Sequence, residues 1–506
     1  KTIKVFDRAS LQYRLPTQAS SENESLFSEA LLSLLKNPNR SEQFAQLHAS
    51  DDPHAQFLWS IFRDVFHYVA VHLGSIANTV RDVDCALRWG FGWTQGPFEH
   101  WQAAGWQTIA EAIKADIAAG KSMSSAPLPD WVFQQTEVYN AAGAYSAQTG
   151  TYQTRHALPV YARQFFPERM PGESPIEGVT LWENEGLRLW ILPQFDASIG
   201  ILSITTKLHT LGTVVTSGLP SALSYAEQKL KAVVIWHEAP FSVGANLKEV
   251  DGAIKAGEFD LLTQQVAAFQ QTTLALKYAS IPVVAAVQGM ALGGGCEFLL
   301  HARHRVLALE SYIGLVEASV GLLPAGGGCK ELAIRAWQSA ERTTNKDPFA
   351  FIQPLFLNIA QASVSSSAQH AKTLGFAYDS DTVVLNAHEL LYVALHEARA
   401  LGEGRYYPST GQTKPGRIKV AGRNGIANCE MILANMQGGG MISAHDYAIA
   451  KAIATALCGG DIETGSEVDE TWLLSVERQL FIELLKTEKT QQRITHMLAT
   501  GKALRN

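Results

Sequence analysis

The run Val283-Val284-Ala285-Ala286-Val287 leads through Gln288–Leu292 into the triplet Gly293-Gly294-Gly295, and Cys296–Ala302 then reads as helical. A short β-branched, wholly apolar run bounded by glycine is a buried strand, so the pattern is strand, tight turn, helix. Its neighbours repeat the alternation. Val179–Glu183, Leu187–Leu192, Ile199–Thr205, Ala232–Trp236 and Arg305–Leu309 read as strands, and Ser221–Lys231 and Phe259–Lys277 as helices. Strands interleaved with helices imply an α/β layered domain.

With 506 residues, the chain is too long for one core. A multidomain α/β organisation is expected: a polar N-terminal segment (1–50) with a helix in Glu24–Leu35, a helical domain (51–125), a linker (126–177), the α/β domain (178–400) and a helical C-terminal region (401–506). The stretch Phe166–Pro175, dense in Pro and Gly, carries the strongest linker signal. Trp59, Trp89, Trp93, Trp101 and Trp106 cluster in the helical domain and are expected to build an aromatic core. The opening Lys1-Thr-Ile-Lys-Val reads as the middle of a domain, so a truncated chain is expected.

Hydrophobic residues make up 46% and charged residues 18%, which is globular rather than disordered composition. Net charge is −7, with 41 basic and 48 acidic residues, and the cations are scattered; a nucleic-acid footprint is excluded. The five cysteines form no CxxC pair or Cys/His cluster, which points to a reducing cytoplasm. The most apolar helical stretch, Trp59–Ala77, contains Arg63, Asp64, His67 and His72, so a soluble protein without a membrane partner is expected.

Two carboxylates stand out. Glu297 follows the glycine triplet, and Glu317 lies 20 residues on, in Gly314-Leu315-Val316-Glu317. Paired acids beside backbone that a ligand can approach suit the addition of water to an activated double bond. Free N–H groups at a helix N-terminus, opened by glycine, suit an oxyanion hole, where one donor is worth roughly 3 kcal/mol. Phe241–Asn246, which follows another strand, is the candidate for a second donor. Each feature also has a plain structural reading. The glycine triplet and Leu323–Gly328 could be packing turns, and a first-turn Glu could simply complement the helix dipole. Glu317 sits among apolar neighbours, where a raised pKa favours proton donation. His301 and His304 have no nucleophile spaced to pair with them and read as structural, and Cys296 as a buried filler. Gly438-Gly439-Gly440 lacks a following Lys-Ser/Thr and is not a P-loop, and no GxGxxG follows a strand, so no nicotinamide-binding domain is expected in the chain.

Taken together, Phe241–Glu249, Ala291–Glu297, Gly314–Glu317, Gly321 and Pro324–Gly328 resemble the crotonase (enoyl-CoA hydratase/isomerase) superfamily over about residues 178–340. The resemblance implies oxyanion-hole N–H groups at Ala245 and Gly294, and water-handling carboxylates at Glu297 and Glu317. It implies an acyl-CoA thioester as substrate, no metal, and a homo-oligomer; Lys248 becomes a candidate CoA phosphate contact. The presence of both acids favours hydration of a trans-2-enoyl-CoA. An enoyl-CoA isomerase, or a non-catalytic acyl-CoA platform, is the alternative. The family usually places Gly after the proline, where this chain has Ala325. Asp82-Val83-Asp84, Trp89–Trp93 and Gly96–Glu99 resemble the helical C-terminal domain of 3-hydroxyacyl-CoA dehydrogenases, with Gln102 where Asp is frequent. That order of domains is similar to the bacterial fusion enzymes of fatty-acid β-oxidation, to whose tail Ile442–Asn506 is also similar. NAD is then expected only with a dehydrogenase domain upstream of Lys1.

Overall fold

The computed structural model describes residues 4–7, 10–14, 27–156, 158–174, 176–344, 346–404 and 416–506. Of the expected helix Glu24–Leu35, residues 29–35 are helical and 24–26 lie outside the described residues. The chain forms two compact units, residues 1–158 with 168–175, and 159–167 with 176–506.

The first unit is built on helices α1 (Pro53–Ile76), α2 (Val80–Phe91) and α3 (Pro97–Ala118). Asp52 caps α1, and Trp59, Phe66, Val69 and Leu73 form its inward stripe. Arg63 lies buried on that helix because Asp64 and Asp116 pair with it. The aromatic core is real but smaller than the tryptophan count suggests. Trp59, Trp101 and Trp106 are buried, the last two stacked at 4.1 Å, whereas Trp89 is 70% and Trp93 40% exposed. The reason is geometric: α2 turns Val80, Val83 and Asp84 inward, and Gly92 ends it in the left-handed conformation.

Residues 126–177, which read as a linker, differ most from expectation. They carry a helical turn (Asp130–Gln134) and an antiparallel sheet of β1 (Tyr139–Asn140), β2 (Gly143–Ser146) and β3 (Thr151–Gln153). Leu128, Val132, Val138, Tyr139, Ala144, Tyr145 and Met170 enter the first unit's core. Gln102 ties them to α3: its Oε1 accepts from Val138 N (2.7 Å) and Tyr139 N (2.9 Å), and its Nε2 donates to Tyr139 O. Asp84, fully buried, accepts from Phe98 N and Glu99 N at the start of α3 and from the Tyr139 hydroxyl (2.7 Å). Burial pushes its carboxyl up to about 7 against these three donors. Asp84→Ala strands two helix N-terminal N–H groups and a buried hydroxyl. It is expected to cost the first unit about 2–3 kcal/mol in urea unfolding; a loss below about 0.5 kcal/mol would contradict this role.

The second unit centres on a seven-stranded sheet ordered β10-β9-β8-β7-β6-β5-β4. Strands β4 (Val179–Glu183), β5 (Leu187–Leu192) and β6 (Asp196–Ile204) form an antiparallel meander. From β6 onward, β7 (Ala232–Ile235), β8 (Val283–Leu292), β9 (His304–Gly314) and β10 (Thr382–Val384) pair in parallel. Alternate residues supply two cores. Val233, Ile235, Val283, Ala285 and Val287 face one, and Val234, Val284 and Ala286 face the other, against Trp190, Trp236 and helix α9 (Leu390–Glu403).

Between strands run α4 (Thr213–Lys229), α5 (Leu247–Ala256), α6 (Phe259–Lys277), α7 (Gly294–His301) and α8 (Gly328–Glu341). The sequence marked α4 only from Ser221. Its first half carries Pro220, which cannot donate to Thr216 O, and the Thr272 hydroxyl of α6 donates there instead at 2.9 Å. The C-terminal helices α10 (Gly422–Gly438), α11 (Ala444–Leu457), α12 (Glu470–Leu485) and α13 (Glu488–Thr500) share this unit's core, rather than forming a separate region from 401. Among the described residues no helix is long and apolar enough to cross a membrane, and all five cysteines are free thiols.

Candidate active site

Strands β8 and β9 run side by side and end together, Leu292 opposite Gly314. Gly293 N donates to Gly314 O (2.9 Å), and Gly293, at φ +53°, turns the chain into α7. Glu297 therefore sits one turn into α7. Glu317 opens the short turn Glu317–Val320 just past β9. Parallel neighbours deliver both acids to the same carboxyl end of the sheet. The juxtaposition is close: a Cβ added at Gly293 would lie 3.1 Å from Glu317 Oε1.

The segment Ser242–Ala245 runs beside the end of β8, Ser242 N donating to Met290 O and Leu292 N to Ser242 O. Gly244, at φ +96°, passes so near that a Cβ there would be 2.9 Å from Leu292 O and 3.5 Å from Gly294 N. Ala245 and Gly294 are thus adjacent, and neither N–H has a protein acceptor among the described residues. Both line a cavity of about 460 Å³ with Glu297 and Glu317. Leu262, Val266, Phe269, Leu322, Phe481 and Met497 make much of its wall apolar. Lys248 is exposed on the first turn of α5, between the lining residues Leu247 and Glu249.

The two acids sit in different surroundings. Glu297 is 3% exposed, and its Oε1 accepts from Gly326 N (2.7 Å) and Gly328 N (2.8 Å). Burial raises its pKa, while those two donors and Lys330 favour the charged form. Glu317 has only its own backbone N–H as a donor favouring the charged form. Burial and the neighbouring Glu297 carboxylate push it well above the ordinary range, and its Oε2 has no protein partner among the described residues. The surroundings split the pair, holding a proton on Glu317 before Glu297. Ala325, the departure from the family's glycine, lines the cavity with its carbonyl held by Gln270 Nε2 at 2.8 Å; the next residue, Gly326, supplies the N–H to Glu297.

Beneath the cavity lies a charge network that sequence reading missed. Lys330 is fully buried, its Nζ donating to Glu331 (2.5 Å), Glu470 (2.8 Å) and His301 Nε2 (2.8 Å). Lys277 reaches Glu331 and Glu470 as well. His301 Nδ1 bonds Glu297 O at 2.6 Å, and burial with Lys330 lowers the ring's pKa to about 3, so it is a neutral structural residue. Another buried acid, Glu477 on α12, accepts from Gly327 N (3.0 Å) and Lys330 N (2.5 Å). Its only sequence signal is the seven-residue step from Glu470 on one helix face, which does not say what that face meets.

Residues 197–341 match the profile of the family described as "Enoyl-CoA hydratase/isomerase". A Bacillus subtilis protein named "Probable 3-hydroxyacyl-CoA dehydrogenase" is 33% identical over 509 residues, spanning 100% of this chain and 61% of that protein. A Rickettsia felis protein named "Putative fatty acid oxidation complex trifunctional enzyme" is 26% identical over 453 residues, covering 89% of this chain and 54% of that protein. The chain thus spans about three-fifths or less of the length of these relatives. The crystal structure of an enoyl-CoA hydratase from Bacillus halodurans overlaps 62% of this chain and 99% of its own, at 14% identity and a TM-score of 0.41. The second unit thus carries the match to the enoyl-CoA hydratase/isomerase family, in a chain similar along its whole length to the Bacillus protein and along 89% of it to the Rickettsia one.

Proposed function

We propose that the second unit hydrates trans-2-enoyl-CoA thioesters to 3-hydroxyacyl-CoA, as part of a fatty-acid β-oxidation enzyme. The observation that carries this reading is the pair of acids with unequal surroundings, Glu297 buried and Glu317 partly so, beside two backbone donors without a protein acceptor among the described residues. In this mechanism the thioester oxygen lies between Ala245 N–H and Gly294 N–H, which stabilise the enolate as it forms. Glu297, with one oxygen held by two glycine N–H groups, takes the proton from water as its oxygen attacks C3. Glu317, the acid more strongly held protonated, delivers a proton to C2. Water is thereby added across the double bond, and no redox partner is consumed. The apolar wall accommodates the acyl chain. Lys248, exposed beside the rim, is the contact proposed for a CoA phosphate.

Dehydrogenase activity with NAD is proposed only for a longer protein of the relatives' kind. A cytoplasmic location is consistent with the five free thiols. The test is direct: the purified chain is mixed with crotonyl-CoA and with a longer 2-enoyl-CoA, without NAD, and loss of the enoyl-thioester absorbance is followed. Formation of 3-hydroxyacyl-CoA is expected. Inertness toward both, with 3-enoyl-CoA converted to 2-enoyl-CoA, would replace hydration by isomerisation.

A further inference from the structure

The loop Gly326–Gly328 gives its N–H groups to opposite sides. Gly326 and Gly328 donate to Glu297, while Gly327 and, one turn into α8, Lys330 donate to Glu477. Gly327 makes this alternation possible at φ +103°; a Cβ there would lie 2.8 Å from the His301 ring and 3.1 Å from Lys330 Cε. Glu477 is fully buried and both its oxygens are used, on an element outside the family match. The same face of α12 carries Glu470, which fixes the Lys330 ammonium, and Leu474, whose carbonyl shares Gln270 Nε2 with Ala325 O. Phe481, one turn further, lines the cavity.

We propose that Glu477 is a positioning residue for Glu297: it clamps the far side of the glycine loop, keeping two N–H donors on Glu297 Oε1 and leaving Oε2 for the reacting water. This rests on the hydratase reading above. Without the clamp, the N-terminus of α8 is free to turn its N–H groups away from Glu297, and the acid loses both its orientation and the donors that favour its charged form. Glu477 itself is not among the residues lining the cavity, so its replacement is expected to act mainly on turnover.

Glu477→Gln keeps the shape but offers one acceptor oxygen to two donors. It is expected to lower kcat about 10- to 100-fold, the order for loss of a hydrogen bond to a charged group, with KM for the enoyl-CoA unchanged. The decisive readout is a double-mutant cycle with Glu297→Gln. If Glu477 acts through Glu297, Glu477→Gln costs nothing further in the Glu297→Gln background. An unchanged kcat, or the same fold-loss in both backgrounds, would overturn the proposal. Should Glu477→Gln fail to fold, Glu477→Asp, which keeps the charge but withdraws it by one methylene, is put through the same cycle and the same criteria. Wild-type protein that hydrates nothing defeats the hydratase reading and this inference together. Wild-type turnover with an indifferent Glu477 variant defeats this inference alone.

Discussion

Glu297→Gln is expected to slow hydration of a trans-2-enoyl-CoA about 10²–10⁴-fold, the range for loss of a positioned general base, with KM held within a few-fold. The amide oxygen of Gln can still accept from Gly326 and Gly328, which preserves the loop, so the loss isolates the missing base. Glu317→Gln should fall in the same range for a different reason. The side chain keeps its place against Gly293, but it can no longer deliver a proton to carbon. The two variants should also part in pH dependence: the proposed mechanism requires Glu297 ionised and Glu317 protonated, which gives a bell whose acid limb belongs to the base. Losses below tenfold in both variants would remove these residues from the chemistry.

Glu331→Ala is expected to destabilise the second unit by about 3–5 kcal/mol, the cost of removing one partner from a buried ionic cluster. Glu331 is shared by Lys277 and Lys330, and without it the buried Lys330 and the partly buried Lys277 have Glu470 as their one remaining acid in the cluster. Burial by itself would push both carboxyls up. The two lysines outweigh it, holding Glu331 well below the ordinary range and Glu470 at about 2. A carboxylate whose pKa is depressed by folding stabilises the folded state above its ordinary value, near 4.5, and that stability drains away as pH falls toward about 2. Urea midpoints measured across this interval should therefore drop with acid in the wild type and less steeply in Glu331→Ala. A variant within about 1 kcal/mol of wild type at neutral pH would mean that the cluster contributes little.

The sheet was legible because its code is local. Val179–Glu183, Leu187–Leu192 and Phe259–Lys277 lie where the apolar periodicity puts them. The ends were less so, since β8 continues to Leu292 through Gln288 and Gly289, which no hydrophobic pattern marks. Position within a motif was also readable: the glycine triplet and the spacing of Glu297 and Glu317 brought the two acids and two donor positions into one cavity. What escaped were features decided by partners distant in sequence. Composition made 126–177 look like a linker, because Pro and Gly say nothing of Gln102 waiting to receive Val138 and Tyr139. Trp89 and Trp93 looked like core because ring size does not report which way α2 turns or where the chain goes after Gly92. Nor does a helix such as α12 disclose that Glu477 finds the N-terminus of α8.

That last contact has a consequence for the order in which the protein is made. Helix α12 leaves the ribosome long after the sheet that it serves, roughly ten to forty seconds after Glu297 at ordinary elongation rates. Until then the amides of Gly327 and Lys330 have no carboxylate, and Lys277 and Lys330 lack one of their two acids. The nascent chain must hold an unfinished, electrically unbalanced interior through that interval. A clone cut at the boundary of the family match, residue 341, would freeze it in that state.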